Sequence, residues 1–349
     1  MKIGLVRRGF SGTGGAEAYL MRLAHGLTQA GHEAILITSE EWPAERWPGR
    51  GIIRLPGRTP DEFAAAFAAS KAPVDITFSL ERVPGCDVYR AGDGVHAAWI
   101  ERRSVFEPWW KVWFHRYNPK HIALIRLERG VYQTVRAVIA NSRMVADEIV
   151  HWHGCPRKKI HIVPNGIGGA LATADRAESR SKLGLDDGYI ALFAGSGWER
   201  KGLAFALAAA EKADAKVLVA GRGKKSAYSS PAAIFLGPVS DLPPVFAAAD
   251  VFILPTIYDP FSNACLEALA AGLPVITTTA NGFSEIITPG VHGSVVEPGD
   301  VNGLAEALRY WRTQDRAATA KACRELAAQY SIERNVKETL AVLTGVLQS

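Results

Sequence analysis

The chain has 349 residues, 48% of them hydrophobic and 21% charged, with 33 Gly, 19 Pro and 4 Cys. That length points to two domains with ample cores, and the apolar content excludes a disordered chain. No apolar run reaches the roughly 18–20 residues of a membrane span, and Met1-Lys2-Ile3-Gly4-Leu5-Val6 is too short for a secretion signal, so a cytoplasmic enzyme is expected. Cys86, Cys155, Cys265 and Cys323 lie far apart with no Cys-x-x-Cys, which argues for a reducing compartment and against a structural zinc.

Lys2–Val6 reads as a buried strand. A loop from Arg7 to Gly15 then leads into a helix with Leu20, Leu23, Ala24 and Leu27 at i, i+3, i+4 and i+7. Gly31 closes that helix, and Glu33–Thr38 is a second strand. Asp75–Ser79 and Ala137–Ala140 are further strands, the latter feeding a helix through Asn141-Ser142-Arg143. Strands alternating with helices mean a parallel sheet. After Ile160–Val163, Pro164-Asn165-Gly166-Ile167-Gly168-Gly169 is a turn-rich break, and the polar run to about Asp187 reads as a linker. The rhythm then restarts with a strand at Tyr189–Ala194 and a helix at Gly202–Ala213. Strands follow at Lys216–Ala220, Ile234–Gly237 and Val251–Pro255, then a helix from Asn263 to Ala271 and a strand at Pro274–Thr278. Helices fill the chain from Val301 onward. Two Rossmann-like α/β domains with a cleft between them, 1–166 and 167–331, are the expectation, with a C-terminal helix at about 332–349 packing back on the first.

Charge is uneven. Residues 1–165 hold 23 Lys and Arg against 16 Asp and Glu, a balance of +7, and the remainder holds 17 against 19, a balance of −2. The first half should favour an anionic partner. Within it, Arg102, Arg103, Lys111, Arg116, Lys120, Arg126 and Arg129 interleave with Phe106, Trp109, Trp110, Trp113, Phe114 and Tyr117. Trp and Tyr favour the water–lipid boundary, and cations favour anionic headgroups, so membrane or acceptor contact is one reading. The other is that the tryptophans are core and the charges decorate a helix face. Single-strand nucleic-acid binding would also mix aromatics with cations, but no nucleic-acid-binding signature accompanies them.

Three segments carry candidate chemistry. Gly12-Thr13-Gly14-Gly15 sits between a strand and a helix N-terminus, where amides and the dipole favour anions, but lacks the dinucleotide spacing. Gly195-Ser196-Gly197-Trp198-Glu199-Arg200-Lys201-Gly202 also joins strand to helix, and its two cations suit a diphosphate. In the third, Asp259 lies in a loop after a buried strand, and a helix opens near Asn263 with Glu267 one turn in. Asp259 and Glu267, eight apart, can both serve one pocket, with Ser262, Asn263, Ala264 and Cys265 supplying a helix start between them. Asp93 and His96 are candidates for orienting an acceptor hydroxyl. His151-x-His153 has no third ligand at sensible spacing and reads as structural; no metal site is expected.

Here the chain resembles the GT-B fold glycosyltransferases of family 4, through Gly14-Gly15-Ala16-Glu17, Arg200-Lys201-Gly202 and Asp259-x7-Glu267 in that order. Within the family it is most similar to transferases that add glucose to the lipopolysaccharide core, through Pro84-Gly85-Cys86-Asp87-Val88-Tyr89 and Gly195-Ser196. The resemblance implies two Rossmann-like domains facing each other across a cleft. It also implies a retaining, metal-independent transfer of a hexose, glucose, from a nucleoside diphosphate sugar, UDP-glucose, with no cofactor. The sequence holds no Asp-x-Asp pair. By the resemblance, Arg200, Lys201 and the amides at Ala264–Cys265 would take the diphosphate, Glu267 the ribose and Asp259 the donor hexose. Gly14 and Gly15 would lie against the donor, Val239-Ser240 against the base, and Glu285 near the donor. The implied partners are a lipid-linked glycan acceptor and the anionic inner leaflet, met by Arg102, Arg103, Trp109, Trp110, Lys111, Trp113 and Arg116, with no nucleic acid. Asp259 departs from the family's usual Glu, which bears on the donor sugar. Alternatives are a family 4 transferase using GDP-mannose or UDP-N-acetylhexosamine, a UDP-sugar 2-epimerase, and a non-catalytic sugar-nucleotide-binding protein.

Overall fold

The computed structural model describes residues 1–10, 15–39, 42–168 and 174–349, with the side chains of all of these but 15, 16, 44 and 116. The chain divides into two units: unit 1 is Met1–Gly168 with Ile332–Ser349, and unit 2 is Gly169–Ser331.

Unit 1 runs β1 (Lys2–Val6), α1 (Gly15–Gln29), β2 (Glu33–Thr38), β3 (Gly51–Arg54), α2 (Pro60–Ala69), β4 (Ile76–Ser79) and β5 (Val88–Arg90). It continues α3 (His96–Ser104), α4 (Trp109–Arg116), α5 (Pro119–Thr134), β6 (Ala137–Ala140), α6 (Arg143–His153) and β7 (Ile160–Ile162). Unit 2 runs α7 (Arg176–Lys182), β8 (Ile190–Ala194), α8 (Leu203–Lys212), β9 (Lys216–Ala220), β10 (Ala233–Gly237), α9 (Pro243–Ala248) and β11 (Val251–Leu254). It ends with α10 (Asn263–Ala271), β12 (Val275–Thr278), β13 (Gly293–Val296), α11 (Val301–Arg312) and α12 (Arg316–Ala328), before α13 (Ile332–Gln348) returns to unit 1.

Among the described residues each unit has one parallel sheet, ordered β3-β2-β1-β4-β5-β6-β7 in unit 1 and β10-β9-β8-β11-β12-β13 in unit 2. The central strands are short apolar runs buried on both faces, as parallel strands between helix layers must be. Their sides are closed by capped helices. Ser142 accepts the Val145 N–H at the start of α6, and Gly154 ends it at φ +61°. The unit 1 core joins Leu5, Leu20, Leu23 and Phe78 to Val336 and Leu343 of α13. Tyr19 Oη donates to Asn335 Oδ1 at 2.9 Å, and Asn335 Nδ2 donates to the Pro164 carbonyl at 2.6 Å.

The structure corrects one expectation of the sequence. The polar run before Asp187 contains helix α7, opened by Asp175, whose carboxylate accepts the Glu178 N–H at 2.8 Å. Arg176 and Arg180 of that helix close on Asp250, the residue before β11, at 2.5 and 2.8 Å. Their partner lies about 70 residues away, so the segment looks like linker when read locally. Strands β3, β5 and β13, three or four residues each, are also absent from the sequence-based reading.

Candidate functional site

Strand order reverses between β1 and β4 in unit 1 and between β8 and β11 in unit 2. Open parallel sheets bind ligands beyond the carboxyl ends of the strands at such points. In unit 2 both segments singled out from the sequence end up there.

The loop after β8 turns on glycines. Gly197 has φ +75° and Gly202 +76°, conformations that a side chain disfavours. A Cβ at Gly202 would overlap the Pro255 carbonyl, so the loop lies backbone to backbone on the end of β11. The Arg200 carbonyl accepts from Ile257 N and Thr256 Oγ1, both at 2.9 Å, and Arg200 Nη1 donates to the Tyr258 carbonyl at 2.8 Å. The Lys201 side chain lies across Gly195. These bonds carry Lys201 Nζ to 3.5 Å and Arg200 Nη1 to 3.9 Å from Asp259 Oδ2.

Asp259 is buried. Its N–H donates to the Ala280 carbonyl at 3.0 Å and its carbonyl accepts from Gly282 N at 2.9 Å. Ser262 caps α10 by accepting the Cys265 N–H at 3.4 Å, and Ser262 N donates to Asn281 Oδ1 at 3.3 Å. The Cys265 N–H is thus part of the cap that opens the helix. Burial pushes the Cys265 thiol up to about 12, so it stays neutral. Two cations and one carboxylate beside the start of a nine-residue helix leave net positive charge, which suits a diphosphate.

Asn263 and Ala264 open α10, and Glu267 is half-buried one turn in. Glu285 is half-buried at the end of the 282–285 turn. Ser196 Oγ accepts from Arg222 N at 3.4 Å, while Val239 and Ser240 lie in the connection from β10 to α9, half-buried and exposed. Asn281 and Thr256, which tie the loops together, escaped the sequence-based reading; the Asn281-Gly282 turn pair was the available signal.

Unit 1 has its own charged cluster at the β1/β4 reversal. Arg7 lies 3.3 Å from Glu17, 3.8 Å from Glu81 and 4.0 Å from Asp93. Asp93, 54% exposed, is 3.7 Å from Arg82, which pairs with the buried Glu128 at 2.8 Å. Burial pushes the Glu128 carboxyl up, but His153, Arg82 and the His96 N–H outweigh it and hold the carboxyl below its ordinary value. His96 Nε2 is 2.8 Å from His121 Nδ1. Burial, with Arg82 adding to it, lowers the His96 imidazole to about 4. His153 is buried 3.5 Å from Glu128 and against Tyr132, whereas exposed His151 meets Trp152. Gly15 opens α1, and Gly14 lies outside the described residues. No group of three His, Cys, Asp or Glu among the described residues is arranged to hold a metal ion.

The aromatic segment is not core. Trp109, Trp113 and Phe114 are 81%, 56% and 62% exposed, and Trp110 and Tyr117 are exposed as well. They sit on or just after α4, and Lys111 lies over the Trp110 ring at 5.7 Å. Arg102 and Arg103 are committed inward to Glu148 and Glu107, and the Arg116 side chain is outside the described residues. No helix among the described residues is long and apolar enough to cross a membrane.

Residues 14–166 match the family model "Glycosyl transferase 4-like domain", and residues 188–313 match "Glycosyl transferases group 1". A probable transglycosylase of Burkholderia thailandensis is 30% identical over 97% of this chain and 96% of its own length. Lipopolysaccharide glucosyltransferase WaaG of Escherichia coli (strain K12) is 24% identical over 96% of both chains. The crystal structure of WaaG, a glycosyltransferase involved in lipopolysaccharide biosynthesis, matches with a TM-score of 0.80 at 22% identity, covering 99% of this chain and all of that one. Anabaena HepE in complex with UDP and glucose matches at 0.77 and 17%, with the same coverage. At such identities the two structures speak for the fold. With both halves matched in order and a relative aligned from end to end, the chain belongs to the family 4 glycosyltransferases of GT-B fold and is a hexosyltransferase.

Proposed function

We propose that this glycosyltransferase moves glucose, with retention and without a metal, from UDP-glucose to a lipopolysaccharide core or other lipid-linked glycan. The observation that carries the reading is the convergence of Lys201 and Arg200 on Asp259 beside the start of α10. Two cations at the strand ends can neutralise a leaving diphosphate, a role that a metal fills in other enzymes. The names of two similar proteins support the sugar and the nucleotide: one is a lipopolysaccharide glucosyltransferase, and another was crystallised with UDP and glucose.

In this reading unit 2 holds the donor. Arg200, Lys201 and the Ala264–Cys265 amides meet the diphosphate, Glu267 the ribose, Asp259 the hexose and Val239-Ser240 the base. Unit 1 holds the acceptor, with Asp93 and His96 beside its hydroxyl. Retention follows when the hydroxyl attacks from the leaving-group face and a donor phosphate oxygen takes its proton. Asp259 and Glu267 are then binding groups. The aromatic helix α4 holds the enzyme on the anionic cytoplasmic face of the inner membrane, where lipid-linked acceptors lie.

Asp259, one methylene shorter than the family's usual Glu, favours a second reading with another donor, GDP-mannose or a UDP-N-acetylhexosamine. A donor panel separates them: nucleotide release is measured for each sugar nucleotide with and without core glycolipid. Acceptor-dependent UDP release from UDP-glucose is expected. Release from GDP-mannose alone would transfer the assignment to that donor, and a free epimerised UDP-sugar would make the protein an epimerase.

A further inference from the structure

One guanidinium at the carboxyl edge of the unit 1 sheet has no counter-charge among the described residues. Arg90, the last residue of β5, is 6% exposed. Its Nη2 donates to Asn165 Oδ1, and its Cζ sits 3.8 Å from the centre of the Tyr19 ring. Its Nε is buried without a hydrogen-bond partner, and no carboxylate among the described residues lies within 4.0 Å. Two other inward-facing arginines are treated differently. Arg82 is closed by Glu128 in the same unit, and Arg180 of unit 2, the other buried arginine among the described residues, by Asp250, each at 2.8 Å.

The surroundings sharpen the mismatch. Asn141, just beyond the adjacent strand β6, donates to the Gly92 carbonyl at 3.3 Å, and its Oδ1 is buried without a partner. Helix α6 begins two residues later, so the positive end of its dipole lies at the same edge as the cation. A ring face and one amide oxygen supply no opposite charge, and a buried ion without one is strongly disfavoured. Gly92 lies against the guanidinium, since a Cβ there would overlap Nη1.

We propose that Arg90 anchors an anion subsite that takes a carboxylate or phosphate borne by the sugar receiving the transferred hexose. Asn141 Oδ1 then accepts a hydroxyl of the same sugar. The proposal rests on unit 1 holding the acceptor. It makes the enzyme selective for acidic acceptors, because a neutral glycan leaves the guanidinium unpaired.

The test is thermal melting of the full chain with saturating UDP present, so that donor-side cations are occupied. Glucose 6-phosphate, glucuronate, glucose and inorganic phosphate are titrated separately. Saturable stabilisation by a sugar acid and none by glucose is expected. Arg90→Met should weaken that binding at least tenfold, about 1.4 kcal/mol, and melt no lower than wild type in the absence of anion. Gly92→Ala, which displaces the guanidinium, should lose the same response. No response to either sugar acid in wild type, or an unchanged response in Arg90→Met, would overturn the proposal. An equal response to inorganic phosphate would overturn the assignment to an acceptor sugar. Lys201→Ala should keep the response; loss there would place the acid in the donor pocket instead. Absence of any rise with UDP would count against the donor reading, and the sugar-acid titration is then scored without it.

Discussion

Lys201 Nζ lies 3.5 Å from Asp259 Oδ2 although 58 residues separate them in the chain. The contact exists because the glycine-built loop after β8 lies on the end of β11, which holds the cation beside the loop that leads into α10. Replacing Lys201 with Ala is expected to lower kcat/KM for sugar transfer about 100-fold, in line with about 3 kcal/mol for loss of one group that stabilises developing charge. The side chain lies over Gly195, and Arg200 Nη1 remains 3.9 Å from the buried Asp259, so the chain should stay folded with only a small fall in melting temperature. Steady-state kinetics beside a melting curve decide the matter; wild-type turnover would remove Lys201 from the site.

Gly202 tests the scaffold under that contact. With φ +76° and no room for a Cβ against the Pro255 carbonyl, Gly202→Ala should cost about 1–3 kcal/mol of stability. Urea unfolding followed by fluorescence measures it. A loss under about 0.5 kcal/mol would mean the two loops are not held backbone to backbone.

The exposed face of α4 makes a separate prediction. Trp109→Glu with Phe114→Glu removes two large apolar side chains from the surface, each worth about 1.5–3 kcal/mol when buried. Co-sedimentation with anionic phosphatidylglycerol vesicles should fall at least tenfold, while UDP-induced stabilisation is kept. Equal sedimentation by wild type and variant would show that α4 does not meet lipid.

His96 sets a pH signature. Its imidazole titrates near 4 in the folded chain, below the ordinary value near 6.5, because burial and Arg82 disfavour its charged form. Between those values the unfolded chain binds more protons, so folding stability is full above about 6.5 and declines as pH falls toward 4. His121, lowered chiefly by burial, acts in the same direction. Replacing His96 with Gln should flatten the melting temperature between pH 6.5 and 4.5. A variant as acid-sensitive as wild type in that range would assign the loss elsewhere.

Much of the architecture was legible before any coordinates. The strand–helix alternation, the helix starts near Ser142 and Asn263, and the Arg200-Lys201 loop are local patterns, set by side-chain period and turn chemistry within a few residues. The short strands β3, β5 and β13 were not, since three or four residues carry too little periodicity to register.

What the sequence by itself determined is the two-part α/β fold and the two loop segments, around Arg200-Lys201 and from Asp259 to Glu267, that carry its candidate chemistry, because these depend on neighbours along the chain. Only the tertiary structure decided which charges meet: Lys201 with Asp259, Arg176 and Arg180 with Asp250, and Arg90 with no carboxylate among the described residues. It also decided that Trp109, Trp113 and Phe114 face outward, although their composition suits a core equally well. Burial and pairing depend on groups tens of residues away, brought near by sheet order, and no local pattern contains that order.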